Sequence, residues 1–489
     1  MFPKKKRLPN IQLEDGQEEP AIKVQPLGYA RKWLASSPVR QRLLRGLGAT
    51  ALGPVVTAVI QLGSIPLLLH FWGAAKYGDW LILSAIPSYL TLSDLGFGDA
   101  SGSDMTMRVA AGDRKGAIET FQSSLVLLSV VSFCVGLIVS VVVWHVPWHH
   151  WVKLTTLSDA RASTVVFVLA IYVLISQQFG ILESGFRCDG NFATGTLGGT
   201  LLRVVEVGSG TVVGILSGSL LWFAATYLMI RIAGNTLYAW FLHKKSPWIS
   251  IGYSSASLSR IKKLAAPAIG FVALPLANAI SIQGFTLVIA SILGSVAVVQ
   301  FSTMRTLARV SFQISNMLSC TVWPEMSRAF GEGNFPLARI LHRRAYQAGL
   351  MLSAISGIAL WFFGPMIYKI WIRNAIAFDF NCFHVLLIVS FVNSLWFVSS
   401  VVPMSTNTHH RITLAFVALS TISLGVAWVL VKQLGLLGAA IGLLVIDVPM
   451  TYLVLRTSLR HLQERLGDFI RAVFISPLSF LIAGQSERQ

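Results

Sequence analysis

The sequence predicts an all-α polytopic membrane protein, with about 12 transmembrane helices in two pseudo-symmetric six-helix bundles around a central cavity. Three observations predict it. Apolar runs of the length a bilayer requires, about 20 residues, recur twelve times in the 489 residues. Only 12% of residues are charged while 54% are hydrophobic, and mean hydropathy is +0.66. An ordinary soluble domain carries about 25% charged residues, so there is too little charge here to coat several globular surfaces. Finally, the chain repeats on itself at an offset of 221 residues.

The runs, numbered here as spans 1 to 12, are Leu47–Leu69, Trp80–Phe97, Ser123–Val146, Thr164–Leu182, Leu197–Ser217, Ser219–Leu242, Leu264–Leu293, Ser295–Trp323, Gln347–Tyr368, Phe383–Pro403, Thr413–Val431 and Leu434–Leu455. A thirteenth run, Phe469–Ala483, is interrupted by Arg471 and Pro477 and reads as interfacial or as a partial span. The implied organisation is a basic tail (1–45), a first bundle (46–242), a linker (243–263), a second bundle (264–455) and a carboxyl-terminal tail (456–489). Connections are short, so no soluble catalytic domain fits between spans. Walker A, GxSxG and HExxH patterns are absent. The expectation is a transporter, not an enzyme, with no cofactor.

Charge placement sets the orientation. The chain carries 39 Lys and Arg against 21 Asp and Glu, net +18. With the amino terminus inside, 29 of the 39 fall on cytoplasmic segments, 6 on external loops and four within spans. Basic residues accumulate on cytoplasmic loops, so both termini are expected in the cytoplasm, and the excess charge needs no nucleic acid. The tail opens with Lys4-Lys5-Lys6-Arg7 followed by acidic residues, which is no cleavable signal. It reads as a disordered tail reinforcing topology, or as a contact with anionic headgroups or a cytoplasmic partner.

In the repeat, Pro54, Ala58, Gly63 and Gly73 fall on Pro275, Ala279, Gly284 and Gly294, and Gly112 and Ala117 fall on Gly333 and Ala338. Six spans per half is even, so the halves enter the membrane in the same direction and are related by an axis along its normal. Substrate would pass between them. Pro54 and Pro275 each remove a helical hydrogen bond and mark either static kinks or hinges.

Charges at membrane depth cost roughly 2.5–3.5 kcal/mol on insertion scales, so they face a cavity or a partner. The candidates are Arg203 and Glu206 in span 5, Arg231 in span 6, Arg305 and Arg309 in span 8, and Asp447 in span 12, with Asp94 near the end of span 2. Glu206 is expected either to couple an ion or to pair with Arg203 or Arg231; Asp447 and Asp94 are further ion-coupling candidates. Arg305 and Arg309 lie four apart on one helical face, with no acid in their own span, and replace Ser84 and Ser88 of the first half. Like charges so placed repel unless compensated: they face an anion, or pair with Asp447 or carbonyl groups. Arg203 and Arg231 are further substrate-binding candidates. His145, His149 and His150, among Trp144, Trp148 and Trp151, fit an interfacial aromatic belt better than zinc, and no metal site is expected.

The stretches Trp72-Gly-Ala-Ala-Lys-Tyr-Gly-Asp-Trp80, Ser88-Tyr-Leu-Thr-Leu-Ser-Asp-Leu-Gly-Phe97 and Gly112-Asp-Arg-Lys-Gly116 resemble the opening of Wzx-type polysaccharide flippases. Trp323-Pro-Glu-Met-Ser-Arg-Ala-Phe330, followed by Gly333-Asn-Phe-Pro-Leu-Ala338, looks like the matching loop of the second half. The family belongs to the multidrug/oligosaccharidyl-lipid/polysaccharide exporter superfamily, and the resemblance covers roughly Leu43 to Arg460. It implies flipping of undecaprenyl-pyrophosphate-linked repeat units across the bacterial inner membrane for exopolysaccharide or O-antigen assembly. The implied partners are the lipid-linked anionic oligosaccharide, membrane lipids, and polysaccharide polymerase and export machinery. A multidrug exporter of the same superfamily is the main alternative; a membrane polysaccharide polymerase is the other.

Overall fold

The computed structural model describes residues 37–406 and 408–474. The chain divides into two compact units, 1–44 and 45–489, and the description below concerns the second. The predicted basic tail up to residue 36 and everything beyond Phe474 lie outside the described residues.

A helix satisfies every backbone group within its own segment, which is why apolar runs cross lipid in this form. In chain order the helices are α1 (Ser37–Ser88), α2 (Phe97–Ala110), α3 (Arg114–Val142), α4 (Trp148–Trp151), α5 (Asp159–Cys188), α6 (Phe192–Ser217) and α7 (Leu220–Lys245). They continue as α8 (Leu258–Ala279), α9 (Phe285–Leu293), α10 (Ser295–Ala308), α11 (Val310–Gly331), α12 (Phe335–Ile372), α13 (Phe380–Ser399), α14 (Val401–Ser405), α15 (His410–Leu434), α16 (Leu436–His461) and α17 (Leu466–Phe474). No strand occurs among the described residues.

Among the described residues, ten segments are long and apolar enough to cross a membrane. They reconcile with twelve spans at two places. Spans 1 and 2 lie in one segment, Val55–Val109, where a sharp bend at Gly73 replaces the predicted loop. Span 8 is broken at Arg309 into α10 and α11, and neither piece alone is both long and apolar enough. Of the thirteenth run, the described part is the end of the nine-residue helix α17, which buries Phe469 and Val473.

The repeat is written into the backbone. Gly73 (φ 73, ψ 169) and its partner Gly294 (φ 88, ψ −178) share a conformation that is essentially restricted to glycine. Gly112 and Gly333 both have positive φ, 81 and 66. Each precedes a capping side chain: Asp113 accepts from the Gly116 N–H at 2.9 Å, and Asn334 from the Leu337 N–H at 3.1 Å. The Gly116 N–H, then the Arg108 guanidinium, hold the Asp113 carboxyl below its usual range. The breaks agree as well, because α1 ends at Ser88 and span 8 breaks at Arg309, the same offset later. Gly73→Ala and Gly294→Ala should each lose about 1–3 kcal/mol, read as a lower unfolding temperature of the purified protein. Gly357→Ala, inside α12 with open space around it, should be neutral or slightly stabilising.

Span 7 works for both bundles. Its start, Leu264 and Ala268, packs in a cluster with Phe121, Phe186 and Leu242, whereas Phe285 and Val288 pack in another with Phe383 and Leu443. Between them, five residues after Pro275, the helix opens into a π turn at Ile280–Gly284, a distortion found mostly at functional sites. The Pro54 side chain lies outside the described set.

The bundles meet at the end carrying the connection between α3 and α5. Asp79, with no exposed surface, accepts from the Thr156 N–H (2.7 Å), the Thr156 hydroxyl (2.6 Å) and the Thr155 N–H (3.2 Å). This ties the connection to the first bundle. From there the Thr155 hydroxyl meets the Ser295 hydroxyl at 3.1 Å, and Lys153 Nζ donates to the Ile292 carbonyl at 2.6 Å. A cation is favoured at that spot, the carboxyl-terminal end of α9. Gly78 packs on Ser295 so closely that a Cβ would collide with its carbonyl.

Candidate functional site

Arg305 and Arg309 line one cavity of about 130 Å³, with every lining residue lying between Leu274 and Asp447. Spans 7, 8, 10, 11 and 12 form its walls, so the pair sits inside the second bundle and not on the passage between halves. Arg309 occupies the break in span 8, and its guanidinium stands 5.2 Å from the Phe312 ring centroid, a favourable cation–π distance. Arg305 Nη2 donates to the Ser281 carbonyl at 3.3 Å. That carbonyl belongs to the π turn, where the regular helical ladder is displaced.

Asp447 lines the same cavity. Its Oδ1 accepts from Asn393 Nδ2 at 2.7 Å and from the Trp396 indole at 2.8 Å. The carboxylate is therefore held by two neutral donors. Two guanidiniums share the cavity with one carboxylate, and Asn278, Ser281 and Ser390 add neutral polar groups. Such a chamber favours an anion, because guanidinium binds phosphate and carboxylate oxygens through paired, charge-assisted hydrogen bonds.

Glu206 and Arg231 form a second cluster, in the first bundle. Arg231 Nη2 donates to Glu206 Oε2 at 2.6 Å, and the Glu206 side chain is 1% exposed. The Tyr172 hydroxyl lies 3.4 Å from Glu206 Oε2 and 3.3 Å from Arg231 Nη2. The guanidinium is 5.4 Å from the Tyr172 ring and 5.5 Å from the Phe179 ring. Of the partners expected for Glu206, the structure gives Arg231; Arg203 is exposed.

Asp94 accepts from the Gly96 N–H at 2.9 Å, just ahead of α2. The predicted site residues thus fall into two clusters, one per bundle, with Arg203 and Asp94 apart from both. Sequence reasoning did not single out Tyr172, Ser281, Asn393 or Trp396. Asn393 carried a signal, an amide inside an apolar span; tyrosine, serine and tryptophan are ordinary there. Trp148 also departs from the expected aromatic belt: it is buried and donates to the Ser163 hydroxyl at 2.8 Å, while Trp144 and Trp151 are exposed.

No protein-family model matches the chain, and no curated protein matches it in sequence. Solved structures do match in fold. An inward-facing multidrug resistance MATE family transporter of the MOP superfamily superposes with a TM-score of 0.66 at 15% identity, covering 83% of this chain and 98% of that one. An outward-facing one gives 0.62 at 15% identity, covering 88% and 97%. A MOP superfamily transporter from Pyrococcus furiosus Vc1, described as having a binding pocket of reverse polarity that suggests a different function, gives 0.64 at 14%, covering 87% and 96%. The chain is a multi-pass, all-helical membrane protein with the fold of these transporters.

Proposed function

We propose that the protein is an alternating-access transporter that flips anionic, lipid-linked oligosaccharides, of the undecaprenyl-pyrophosphate type, across a bacterial inner membrane. Its product feeds extracellular polysaccharide or O-antigen assembly, alongside a polymerase and export machinery, and the protein itself catalyses no bond change. The carrying observation is the shared cavity of Arg305 and Arg309, where positive charge exceeds the single carboxylate of Asp447. The fold likeness to transporters in inward- and outward-facing states supports alternating access. The 29-to-6 division of basic residues supports cytoplasmic termini, which makes the end bearing Asp79 and Ser295 the external one.

The likeness to multidrug resistance transporters favours a second reading, drug export. A cationic drug, however, would be repelled by the arginine pair. Purified protein in liposomes separates the two. Protein-dependent movement of a fluorescent polyprenyl-pyrophosphate oligosaccharide between leaflets, without uptake of a cationic dye, is the expected result. Dye transport without movement of the lipid-linked sugar would replace this reading with the second.

A further inference from the structure

Helices α6 and α7 form a groove of about 430 Å³ on the outer face of the first bundle. Its lining is almost wholly apolar, and it faces outward: Leu201, Leu237 and Trp240 are 64%, 65% and 57% exposed. Its floor is where the two helices touch. A Cβ at Gly198 would stand 2.7 Å from the Tyr238 ring, and one at Gly234 would collide with a Leu202 methyl. The Tyr238 hydroxyl donates to the Gly195 carbonyl at 2.7 Å. The helices are locked together at this floor, so the groove is built into their crossing.

The groove has the length of one leaflet. It runs from Thr194 to Val205 along α6 and from Ile230 to Phe241 along α7, in each case about 16 Å at 1.5 Å per residue. Half of a hydrocarbon core of about 30 Å is about 15 Å. The deep end, at Val205 and Ile230, adjoins the buried Glu206–Arg231 pair in sequence. The shallow end leads into the last turn of α7, which carries His243, Lys244 and Lys245. All three are exposed, and Lys244 Nζ stands 5.3 Å from the ring of Trp240, a cation–π distance. Tryptophan favours the headgroup level of a bilayer. Between Thr194 and Lys245 the sequence holds one acid, Glu206, whose carboxylate is taken by Arg231. Asp189, just before α6, accepts from the Ser246 hydroxyl at 2.5 Å and the Trp248 indole at 2.8 Å. Both acids are thus engaged away from the lysines.

We propose that this groove is a specific site for an anionic phospholipid, with one acyl chain between α6 and α7 and the phosphate on Lys244 and Lys245. The lipid belongs to the leaflet at the α7–α8 end, which is the cytoplasmic one in the orientation proposed above; the site itself depends neither on that orientation nor on the cargo. The volume falls within the 300–1,000 Å³ that single small ligands fill. Chain and headgroup positions are continuous, because Trp240 both lines the groove and contacts Lys244. Basic residues where a helix leaves the bilayer attract anionic headgroups. A second copy of the chain, packed symmetrically on this face, would instead bring its own lysines toward these.

The test uses the full-length protein in phosphatidylcholine nanodiscs and phosphatidylglycerol carrying a photoactivatable diazirine on its acyl chain. Labelled peptides should concentrate at 201–205 and 233–241, about tenfold above the peptide holding Phe362, which is exposed on α12 and reports ordinary boundary lipid. Ala233→Trp, filling the groove it lines, should cut groove labelling about tenfold with an unchanged unfolding temperature. Leu201→Gln, at an exposed position, is the second variant and should cut it about threefold. Lys244→Gln with Lys245→Gln should reduce labelling to that given by phosphatidylcholine with the same diazirine. Equal labelling at Phe362, or undiminished labelling in both folded groove variants, would overturn the site. Equal labelling of the unaltered protein by the two lipids would overturn its charge selectivity, and cross-links between two copies through Leu201 or Leu237 would give the groove to a dimer instead.

Discussion

Replacing Arg305 and Arg309 together with alanine is expected to abolish flipping while the protein remains at its normal level in the membrane. Both guanidiniums border one cavity, and Oδ1 of the carboxylate opposite accepts from Asn393 and Trp396. Removing the pair therefore leaves Asp447 hydrogen-bonded; among hydrogen bonds within the protein, the Ser281 carbonyl loses its bond from Arg305. Charge-assisted hydrogen bonds contribute about 1.5–3 kcal/mol each, so losing one from each arginine weakens anion binding at least about a hundredfold. Lysine at either position keeps the charge but loses the planar fork, and should restore activity only in part. The measurement is complementation of a flippase-null strain, with surface polysaccharide and membrane protein level read together. Full activity of the double alanine variant would assign both residues to packing alone.

Glu206→Ala should have the largest effect on stability, a loss of about 3–5 kcal/mol. The reason is its partner. Arg231 is 2.6 Å away with only 13% of its side chain exposed, so deleting the acid strands a cation in the bundle. Replacing both by leucine and methionine should cost far less than either single change, because a buried pair and an apolar pair of similar volume are close in free energy. Thermal unfolding of the two single variants and the double variant closes the cycle. Additive losses would remove the pair as the source of the effect. A Glu206→Gln protein that unfolds normally but transports with a shifted pH profile would instead assign Glu206 to ion coupling.

Much of the architecture was legible because it rests on local or periodic signals. Span positions follow from runs of apolar residues, and the repeat from glycines whose backbone angles only glycine tolerates. The pairing of Gly73 with Gly294 was a matter of letters, yet it marks two equivalent bends. The cationic face of span 8 was likewise visible from spacing alone. What was hidden depends on the third dimension. Hydropathy counts residues and cannot distinguish a loop at 70–79 from a bend at one glycine, nor detect the break at Arg309. Placing the arginine pair within one bundle, and choosing Arg231 over Arg203 for Glu206, both depend on which helices pack together. Asp79, an unremarked acid beside span 2, gathers backbone and hydroxyl donors from residues 76 and 77 positions further on, a separation no local pattern carries.

That aspartate also bears on where the two bundles would part in the transport cycle proposed above. Its bonds to Thr155 and Thr156 involve a charge and backbone N–H groups, stronger than the neutral hydroxyl pair between Thr155 and Ser295. In the alternating-access cycle proposed above, opening of the bundles at this end would carry the connection with the first of them. The seam then runs between Thr155 and Ser295, and between Lys153 and the last turn of α9. Every hydrogen-bonding group along it is one that water can replace on parting and leave on return. Gly78, without a side chain, lets the two faces close flush. In that cycle one short connection would behave as a doorstop fixed to one leaf, setting how far the other can close without being torn loose at each opening.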